Sequence, residues 1–261
     1  MLQLRGAAAS HVGLVRSHNE DSGFVGPLLA MVADGMGGAA AGEVASSIAA
    51  HSADELSRTR SGSLPPRELL AYAVAQAAEQ IRVVVENDHA LAGMGTTFTA
   101  VRTDGHRVAL AHLGDSRAYL LREEALSLLT DDHTLVQALV DAGRITPAQA
   151  RRSDHRHIVM RSLGGGGHSR PDLAYVDVVV GDRLLLCSDG LSDLVDDRDI
   201  ALVLAVPDPQ NVADLLVDAA LDAGGTDNVT CVVVDVVDEP AVPHSGSLLG
   251  AARDLRTPFP G

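Results

Sequence analysis

The chain has 261 residues, of which 46% are hydrophobic and 2% aromatic, and its formal net charge is −15. This length suits one or two domains with a substantial core. The negative charge and the scarcity of aromatic stacking surfaces argue against nucleic-acid binding, which requires a positive footprint. No apolar run approaches about 20 residues, so no membrane span is predicted, and the N-terminus has no secretory signal pattern.

In the first half of the chain, a polar segment at 13–22 separates two early strands and is typical of a solvated loop. Helical spacing of apolar residues predicts helices over 43–56 and 67–86, the second with Pro66 at its start, where proline is tolerated. Turn residues separate the later strands, which favours antiparallel pairing. The strands predicted in this half are, in order, 2–8, 28–33, 97–101, 107–113, 118–121 and 126–129.

The second half opens with two short helices, one over 134–142 and one beginning at Thr146-Pro147, with Thr as N-cap and Pro at N1. A basic island follows at 151–157, and we interpret it as a solvated face that could also steer acidic substrates. The glycine run at 164–167 is interpreted as a flexible connection. The remaining elements are strands at 175–180 and 183–187, helices at 199–206 and 211–223, and a strand at 229–237.

This order of elements predicts a sheet-rich α+β fold with the helices grouped outside. Cys187 and Cys231 lie in apolar strand-like runs, so we interpret them as buried, reduced core residues, with a disulfide as the alternative. We therefore expect a cytoplasmic protein, and we expect a monomer. Residues 239–261 contain several prolines and few large apolar residues, which predicts a mobile tail.

Four aspartates stand at the ends of predicted strands: Asp34, Asp115 and Asp189 each follow one, and Asp227 precedes the last. Three glycines within four residues after Asp34 let backbone approach whatever its carboxylate binds. Each aspartate alone is compatible with an ordinary turn, but the repetition predicts one shared carboxylate site. Carboxylate oxygens favour hard cations such as Mg²⁺, Mn²⁺ or Ca²⁺.

A pair of divalent ions in such a site lowers the pKa of a shared water and stabilises the charge of a phosphoryl group under in-line attack. All 20 positive residues are arginines, so phosphate must be held by Arg, backbone N–H groups or metal. Arg16, close in sequence to Glu20 and Asp21, can hold phosphate by a two-pronged contact. The set fits phosphate-ester hydrolysis without a covalent enzyme intermediate.

Six short motifs follow one another along the chain: Arg16-Ser17-His18-Asn19-Glu20-Asp21, Asp34-Gly35-Met36-Gly37-Gly38, Gly93-Met94-Gly95-Thr96-Thr97, Gly114-Asp115-Ser116-Arg117, Ser188-Asp189-Gly190 and Asp227-Asn228-Val229-Thr230. Together they resemble the metal-dependent Ser/Thr protein phosphatases of type 2C in their bacterial form, over about residues 10–237. The resemblance implies a four-layer α-β-β-α sandwich of two packed antiparallel sheets. It implies a catalytic domain over 1–238 with a flap at 134–167, followed by a flexible tail at 239–261.

The resemblance also implies Mn²⁺ or Mg²⁺ as cofactor, with two ions in the core site and a hydroxide that bridges them as the nucleophile. The implied metal ligands are Asp34 (bridging), the carbonyl oxygen of Gly35, Asp189, Asp227 and, for a third ion shared with Asp189, Asp115. Glu20 and Asp21 would hold metal-bound water, and Arg16 would bind the substrate phosphate. The implied substrates are proteins carrying phosphoserine or phosphothreonine, made by bacterial Ser/Thr kinases.

Two departures from the family pattern leave the general acid open. Eukaryotic members often carry His directly after the Asp-Gly pair, where this chain has Met36, and bacterial members often carry His-Pro where it has Ser153-Asp154. A metal-bound water is one candidate for the proton donor. His155 and His157 lie nearby, but two histidines alone form an incomplete ligand set, so we expect no metal site there.

Three other interpretations remain. A catalytically weak regulatory or binding module of the same fold would keep the architecture without the chemistry. A serine hydrolase would use Ser116 as nucleophile, but the segment after it continues as a strand, whereas a nucleophile elbow requires a helix. An acidic calcium-binding protein is disfavoured because no EF-hand loop is present.

Overall fold

The structure is a computed structural model and describes residues 1–37, 41–59, 64–164, 170–240 and 246–255. Its strands are β1 (Leu2–His11), β2 (Asp21–Val25), β3 (Leu29–Met36), β4 (Gly95–Thr96), β5 (Phe98–Thr103), β6 (Val108–Leu113), β7 (Arg117–Arg122), β8 (Ala125–Leu128), β9 (Leu163–Gly164), β10 (Asp172–Val176), β11 (Arg183–Cys187), β12 (Val229–Asp238) and β13 (Ser247–Gly250). Its helices are α1 (Ala41–Thr59), α2 (Pro66–Asn87), α3 (Leu135–Asp141), α4 (Pro147–Ala150), α5 (Asp189–Ser192), α6 (Asp197–Leu204), α7 (Pro209–Asp222) and α8 (Ala251–Asp254), with a 3₁₀ turn at His89–Leu91.

The strands form two antiparallel sheets. One has five strands in the order β1-β12-β11-β7-β8, and the other follows the order β10-β6-β5-β3-β2-β13, with β4 and β9 paired beside β3. Buried side chains of both sheets, such as Val32, Leu110, Leu186 and Val234, share one core cluster between the sheets. The sheets therefore pack face to face.

Two further core clusters lie on the outer faces of the sheets. Helices α1 and α2 cover the larger sheet, with Ile48, Leu70 and Ile81 packed against residues such as Phe98. Helices α6 and α7 cover the smaller sheet, where Leu216 packs with the strand residues of β11 and β12. The predicted four-layer α-β-β-α sandwich is confirmed.

The long helices lie close to their predicted bounds because their signals are local. Pro66 occupies the first turn of α2, as predicted. Thr134 caps α3 by accepting the Gln137 N–H at 3.2 Å, and Thr146 and Gln149 form a capping box at α4.

The predicted strand at 175–180 differs from the structure, in which β10 spans Asp172–Val176 and pairs with β6. The apolar residues Val179 and Val180 are exposed and lie in a turn. The turn is stabilised by the Val179 N–H, which donates to Asp182 at 2.8 Å, and by Gly181 at φ 99°. The hydrophobicity of Val179 and Val180 predicted a strand, but the hydrogen bond to Asp182 and the conformation of Gly181 favour a turn.

The mobile tail predicted at 239–261 needs correction over residues 246–255. Strand β13 pairs with β2, and Ala251 and Ala252 of α8 are buried against the core. The Ser22 hydroxyl accepts the Ala252 N–H at 3.1 Å. This segment docks because β2 would otherwise present an unpaired edge.

Cys187 and Cys231 face each other across β11 and β12 as buried free thiols, which confirms their interpretation as core residues. No helix in the described ranges is long and apolar enough to cross a membrane.

Candidate active site

The four strand-end aspartates line one cleft of about 660 Å³. Antiparallel pairing explains their proximity, because it places the end of β3 beside the start of β2, and the end of β11 beside the start of β12. Of the predicted site residues, the cleft is lined by Arg16, Glu20, Asp34, Gly35, Asp115, Asp189 and Asp227. Asp21 is absent from this lining and is fully buried behind it, opposite Asp34 in register.

The sequence predicted that the strand ends before Asp34, but β3 continues through Asp34 to Met36. Its backbone N–H donates to Thr97 Oγ1 at 2.8 Å, and its carbonyl accepts the Thr97 N–H at 2.9 Å. A Cβ atom on Gly35 would lie 2.2 Å from the Gly42 carbonyl oxygen, so only glycine fits there. Asp34 and the Gly35 backbone are therefore held rigidly at the cleft.

Asp21 is positioned from behind the cleft. The Ser188 hydroxyl donates to Asp21 Oδ2 at 2.7 Å, whereas Asp21 Oδ1 is buried and has no hydrogen-bond partner among the described residues. A buried carboxylate oxygen without a partner is costly. Burial of the Asp21 carboxyl group raises its pKa to about 7.

Burial, followed by repulsion between neighbouring carboxylates, raises the pKa values of the aspartates in the cleft. Burial, then the charges of Asp21 and Asp189, raise the pKa of Asp34 well above its usual range. Burial, then Asp115 and Asp193, do the same to the pKa of Asp189. The pKa of Asp115 is raised to about 7, mainly by burial. Divalent cations would relieve this cost, and a set of carboxylate and carbonyl oxygens fits Mg²⁺ or Mn²⁺.

The loop before β2 carries Arg16, whose Nη2 donates to Asp227 Oδ2 at 2.7 Å. Asn228 fastens this loop: its Nδ2 donates to the carbonyls of Val12 and His18, each at 2.9 Å, and its Oδ1 accepts the Glu20 N–H at 2.7 Å. The sequence motif contained Asn228, but only the structure shows that it joins the two loops of the site.

Asp115 lies in the turn between β6 and β7, which His133 holds in place. The Gly114 backbone N–H donates to His133 Nδ1 at 3.0 Å, and the His133 backbone N–H donates to the Gly114 carbonyl at 2.7 Å. His133 Nε2 lies 2.9 Å from Asp172 Oδ2 on β10. Sequence reasoning did not identify His133, because its partners come from distant segments.

The buried Ser116 hydroxyl lies 2.7 Å from Thr97 Oγ1 and does not line the cleft. It is not an exposed nucleophile, which argues against the serine-hydrolase interpretation.

The lining residues that were not predicted as site residues include Arg156, His157, Val159 and Asp193. Arg156 Nε lies 3.4 Å and His157 Nδ1 3.3 Å from Asp193 Oδ2. The basic island thus reaches the cleft through its last two residues, whereas Ser153, Asp154 and His155 do not line it. The signal available in the sequence was the basic charge of the island itself.

Residues 16–216 match the family model described as protein phosphatase 2C. The chain belongs to the protein phosphatase 2C family. As a family member, it is 48% identical over 240 residues to the serine/threonine protein phosphatase PstP of Mycobacterium tuberculosis, a match that covers 91% of this chain and 46% of PstP. The chain thus spans about half the length of this curated relative.

In two further comparisons, the match covers nearly the whole length of the similar protein. The chain is 35% identical over 232 residues to the serine/threonine phosphatase stp of Listeria welshimeri, covering 85% of this chain and 92% of stp. It superimposes on the catalytic domain of PstP, solved in complex with 2 manganese ions, with a TM-score of 0.85 and 47% identity, covering 91% of this chain and 100% of that one. The protein phosphatase 2C fold therefore extends over most of the described chain.

Proposed function

We propose that this chain is a metal-dependent phosphatase that hydrolyses phosphoserine and phosphothreonine in proteins. The convergence of four aspartates and Arg16 on one cleft carries this proposal. Membership of the protein phosphatase 2C family supports it, as does similarity to PstP, whose catalytic domain was solved with 2 manganese ions.

The oxygen donors of the cleft would hold two Mn²⁺ or Mg²⁺ ions. The proposed ligands are Asp34, shared by both ions, the Gly35 carbonyl, Asp189 and Asp227, with Asp115 and Asp189 for a third ion. When bound, the ions would supply a hydroxide for direct attack on phosphorus and neutralise the charge that builds on the phosphoryl group. The Asp34 backbone is hydrogen-bonded to Thr97 through both its N–H and its carbonyl, so its carboxylate would be held in place to receive the ions.

Arg16 would bind the substrate phosphate. Its side chain is half-exposed at the cleft, and a guanidinium holds phosphate by two parallel N–H contacts. Glu20, which lines the cleft, and Asp21, behind it, would accept hydrogen bonds from water on the ions. Burial raises the pKa of Glu20, and a neighbouring cation would keep it ionised for that role.

We propose proteins phosphorylated by bacterial Ser/Thr kinases as the substrates. Leu14 and Val15 precede the lining residue Arg16 and Ile158 follows the lining residue His157, and all three are exposed, which provides apolar surface for a polypeptide rather than for a small anion. We also propose that the protein acts as a monomer in the cytoplasm.

The decisive experiment measures turnover of a phosphothreonine peptide with Mn²⁺, after chelation, and after Mn²⁺ is restored. We expect activity only with metal. Asp34→Asn should lower kcat by more than about a hundredfold, because it removes the shared carboxylate. Asp214→Asn is the matched control, since Asp214 lies on α7, accepts an exposed hydrogen bond from Gln210 and does not line the cleft. Equal rates with and without chelator would refute metal dependence.

The alternative of a catalytically weak module of the same fold predicts a different result. Such a module would bind Mn²⁺ and phosphopeptide in calorimetry and yet release no phosphate. The complete set of four aspartates favours the enzyme.

A further inference from the structure

Arg102, near the end of β5, is a buried cation whose side chain lacks hydrogen-bond acceptors. Only 2% of the residue is exposed, and among the described residues none accepts a hydrogen bond from its Nε or Nη1. A buried charged donor without a partner is costly. The cost cannot be avoided by loss of the proton, because a guanidinium stays charged at neutral pH. The environment of Arg102 therefore calls for an anion.

The register of the larger sheet places Arg102 in the layer between that sheet and helix α2. Arg102 is paired with Leu29 of β3 on one side and with Ala109 of β6 on the other. Directly paired residues project from the same face of a sheet. Leu29 and Ala109 belong to the core cluster that α1 and α2 cover. Arg102 is thus a charged residue in a layer that is otherwise largely apolar.

Two further arginines lie at the same end of this layer. Ala109 is also paired with Tyr175 of β10, so Tyr175 stands in the same cross-strand row as Arg102. The Cα atoms of Arg102 and Tyr175 are roughly 10 Å apart, since they lie two strands from each other, and the side chain between them in the row is a methyl group. The guanidinium carbons of Arg67 and Arg107 lie 5.4 and 4.7 Å from the centre of the Tyr175 ring.

The carboxylates near these arginines are already engaged. Asp104, in the turn after β5, is the charge that opposes the lowering of the Arg102 pKa by burial. It accepts two backbone N–H groups of its own turn, at 2.8 and 2.9 Å, and the Arg107 Nη2 at 3.3 Å. Glu68 is paired with Arg67 at 3.3 Å. Three guanidinium groups share two carboxylates, which leaves a net positive charge in a chain whose overall charge is −15.

The N-terminus of α2 adds to this positive charge. Its N-cap residue, Pro65, makes no side-chain hydrogen bond, and the Leu69 N–H is bonded to the Pro65 carbonyl at 3.0 Å. The backbone N–H groups of Arg67 and Glu68, in the first turn, have no acceptor within the helix. A helix of 22 residues carries a partial positive charge at this end, which favours anions.

We propose that Arg102 forms the buried end of an oxyanion site between the larger sheet and the start of α2, bordered by Arg67 and Arg107. The ligand is a phosphate-like or carboxylate group, because a guanidinium offers parallel N–H donors to two oxygens of such a group. The side chains of Arg67 and Arg107 are 46% and 54% exposed, so they can reorient to admit it.

The site is separate from the proposed active site and does not depend on it. Among the described residues that line the aspartate cleft, none is Arg67, Arg102 or Arg107. A bound anion would supply the acceptor that Arg102 lacks and would thereby stabilise the packing of α2 on the sheet. We therefore expect the anion to act on the stability of the fold.

Thermal unfolding of the full chain in Mn²⁺ tests the site, with sulfate as the phosphate-like probe, acetate as the carboxylate probe and chloride as the reference at constant ionic strength. The wild-type midpoint should rise by about 3–5 °C for each tenfold increase in the anion that binds, at concentrations above its Kd. Arg102→Met should lose most of this rise. Arg16→Ala should keep it, which excludes the active-site cleft as its origin. A rise with sulfate alone would identify a phosphate-like ligand, and a rise with acetate alone a carboxylate.

A second comparison does not require substitution of a buried residue. The double variant Arg67→Ala and Arg107→Ala should need more than about tenfold more anion for the same rise, because hydrogen bonds to charged groups are lost. Arg82→Ala is the matched control, since Arg82 is an exposed arginine on α2 that pairs with Glu79 and Glu86. Its anion response should equal that of the wild type.

Stability in chloride separates an anion site from a purely structural role of Arg102. Arg102→Met should unfold at the wild-type temperature or above it, because the substitution removes an unpaired buried charge. A lower midpoint together with an unchanged anion response would overturn the site. Equal responses in the wild type, Arg102→Met and the double variant would overturn it as well, as would the absence of any response in the wild type. None of these results bears on phosphatase activity.

Discussion

Arg16 and Asp227 form a salt bridge of 2.7 Å at the mouth of the cleft, which joins the proposed phosphate-binding residue to a proposed metal ligand. The bond to Asp227 raises the pKa of Arg16, so the guanidinium remains charged. Its side chain is 52% exposed, and exposed ion pairs contribute only about 0–1 kcal/mol. Arg16 can therefore exchange Asp227 for a phosphate group at little cost once Asp227 binds an ion.

Arg16→Ala should raise KM for a phosphothreonine peptide about tenfold while kcat changes less, because Arg16 contacts phosphate in both ground and transition states. Steady-state kinetics in saturating Mn²⁺ measures the two constants separately. Arg5→Ala is the matched control, since Arg5 is an exposed arginine that pairs with Glu239 and does not line the cleft. A loss confined to kcat would contradict the binding role.

The fold was predictable where the signals were long or local. Helix α2 spans Pro66–Asn87 against a prediction of 67–86, because an apolar stripe over several turns defines a helix without knowledge of its neighbours. Strand β13 was not predictable, because its four residues form a strand only through pairing with β2. The same holds for β4 and β9, which have two residues each.

The site was predictable to the extent that its residues carry a repeated pattern. The placement of aspartates at strand ends indicated a shared cleft, and the structure brings all four to it. Their roles as metal ligands stay predictions. His133 and Asp193 were not identified, because each acts through a contact between distant segments, which spacing along the chain does not encode.

The metal-free protein should lose stability as pH rises from about 4 to about 7. Asp115 has an ordinary pKa of about 3.9 when unfolded, and burial raises its pKa to about 7 in the folded chain. Between these values the folded state binds more protons than the unfolded state, so the free energy of unfolding falls with pH. Asp21, also with a pKa of about 7, contributes with the same sign.

Urea unfolding of chelator-treated protein at pH 5 and pH 8 checks this expectation. Asp115→Asn should raise the midpoint at pH 8 and reduce the difference between the two pH values. Asp182→Asn serves as the control: burial disfavours its carboxylate, but hydrogen bonds from Arg122 and the Val179 N–H outweigh this and lower its pKa. It should therefore destabilise the chain equally at both pH values. A midpoint that rises with pH in metal-free wild type would contradict the argument.

Both cysteines should be unreactive in the folded protein. Cys187 and Cys231 are fully buried, and burial raises the pKa of Cys187 to about 12, so almost no thiolate forms at neutral pH. Labelling with a chromogenic disulfide reagent should detect no thiol in native protein and both thiols after unfolding in guanidinium. Detection of no thiol after unfolding would instead indicate that the pair had formed a disulfide.

Docking of the segment 246–255 depends on Gly250. Gly250 has a φ of 62°, and a Cβ atom there would lie 2.2 Å from the Asp21 carbonyl oxygen. Gly250→Ala should lower the free energy of unfolding by about 2–3 kcal/mol, because it combines backbone strain with a backbone clash. Because Asp21 lies directly behind the cleft, the same variant should weaken Mn²⁺ binding.

Gly143→Ala is the control for backbone strain alone, since Gly143 has a φ of 65° and open space around the added atom. It should lower the free energy of unfolding by only about 1 kcal/mol and leave Mn²⁺ affinity unchanged. Urea unfolding and calorimetric Mn²⁺ titration of both variants make the comparison. Equal destabilisation by the two substitutions would show that the segment after β12 contributes nothing through its contact with β2.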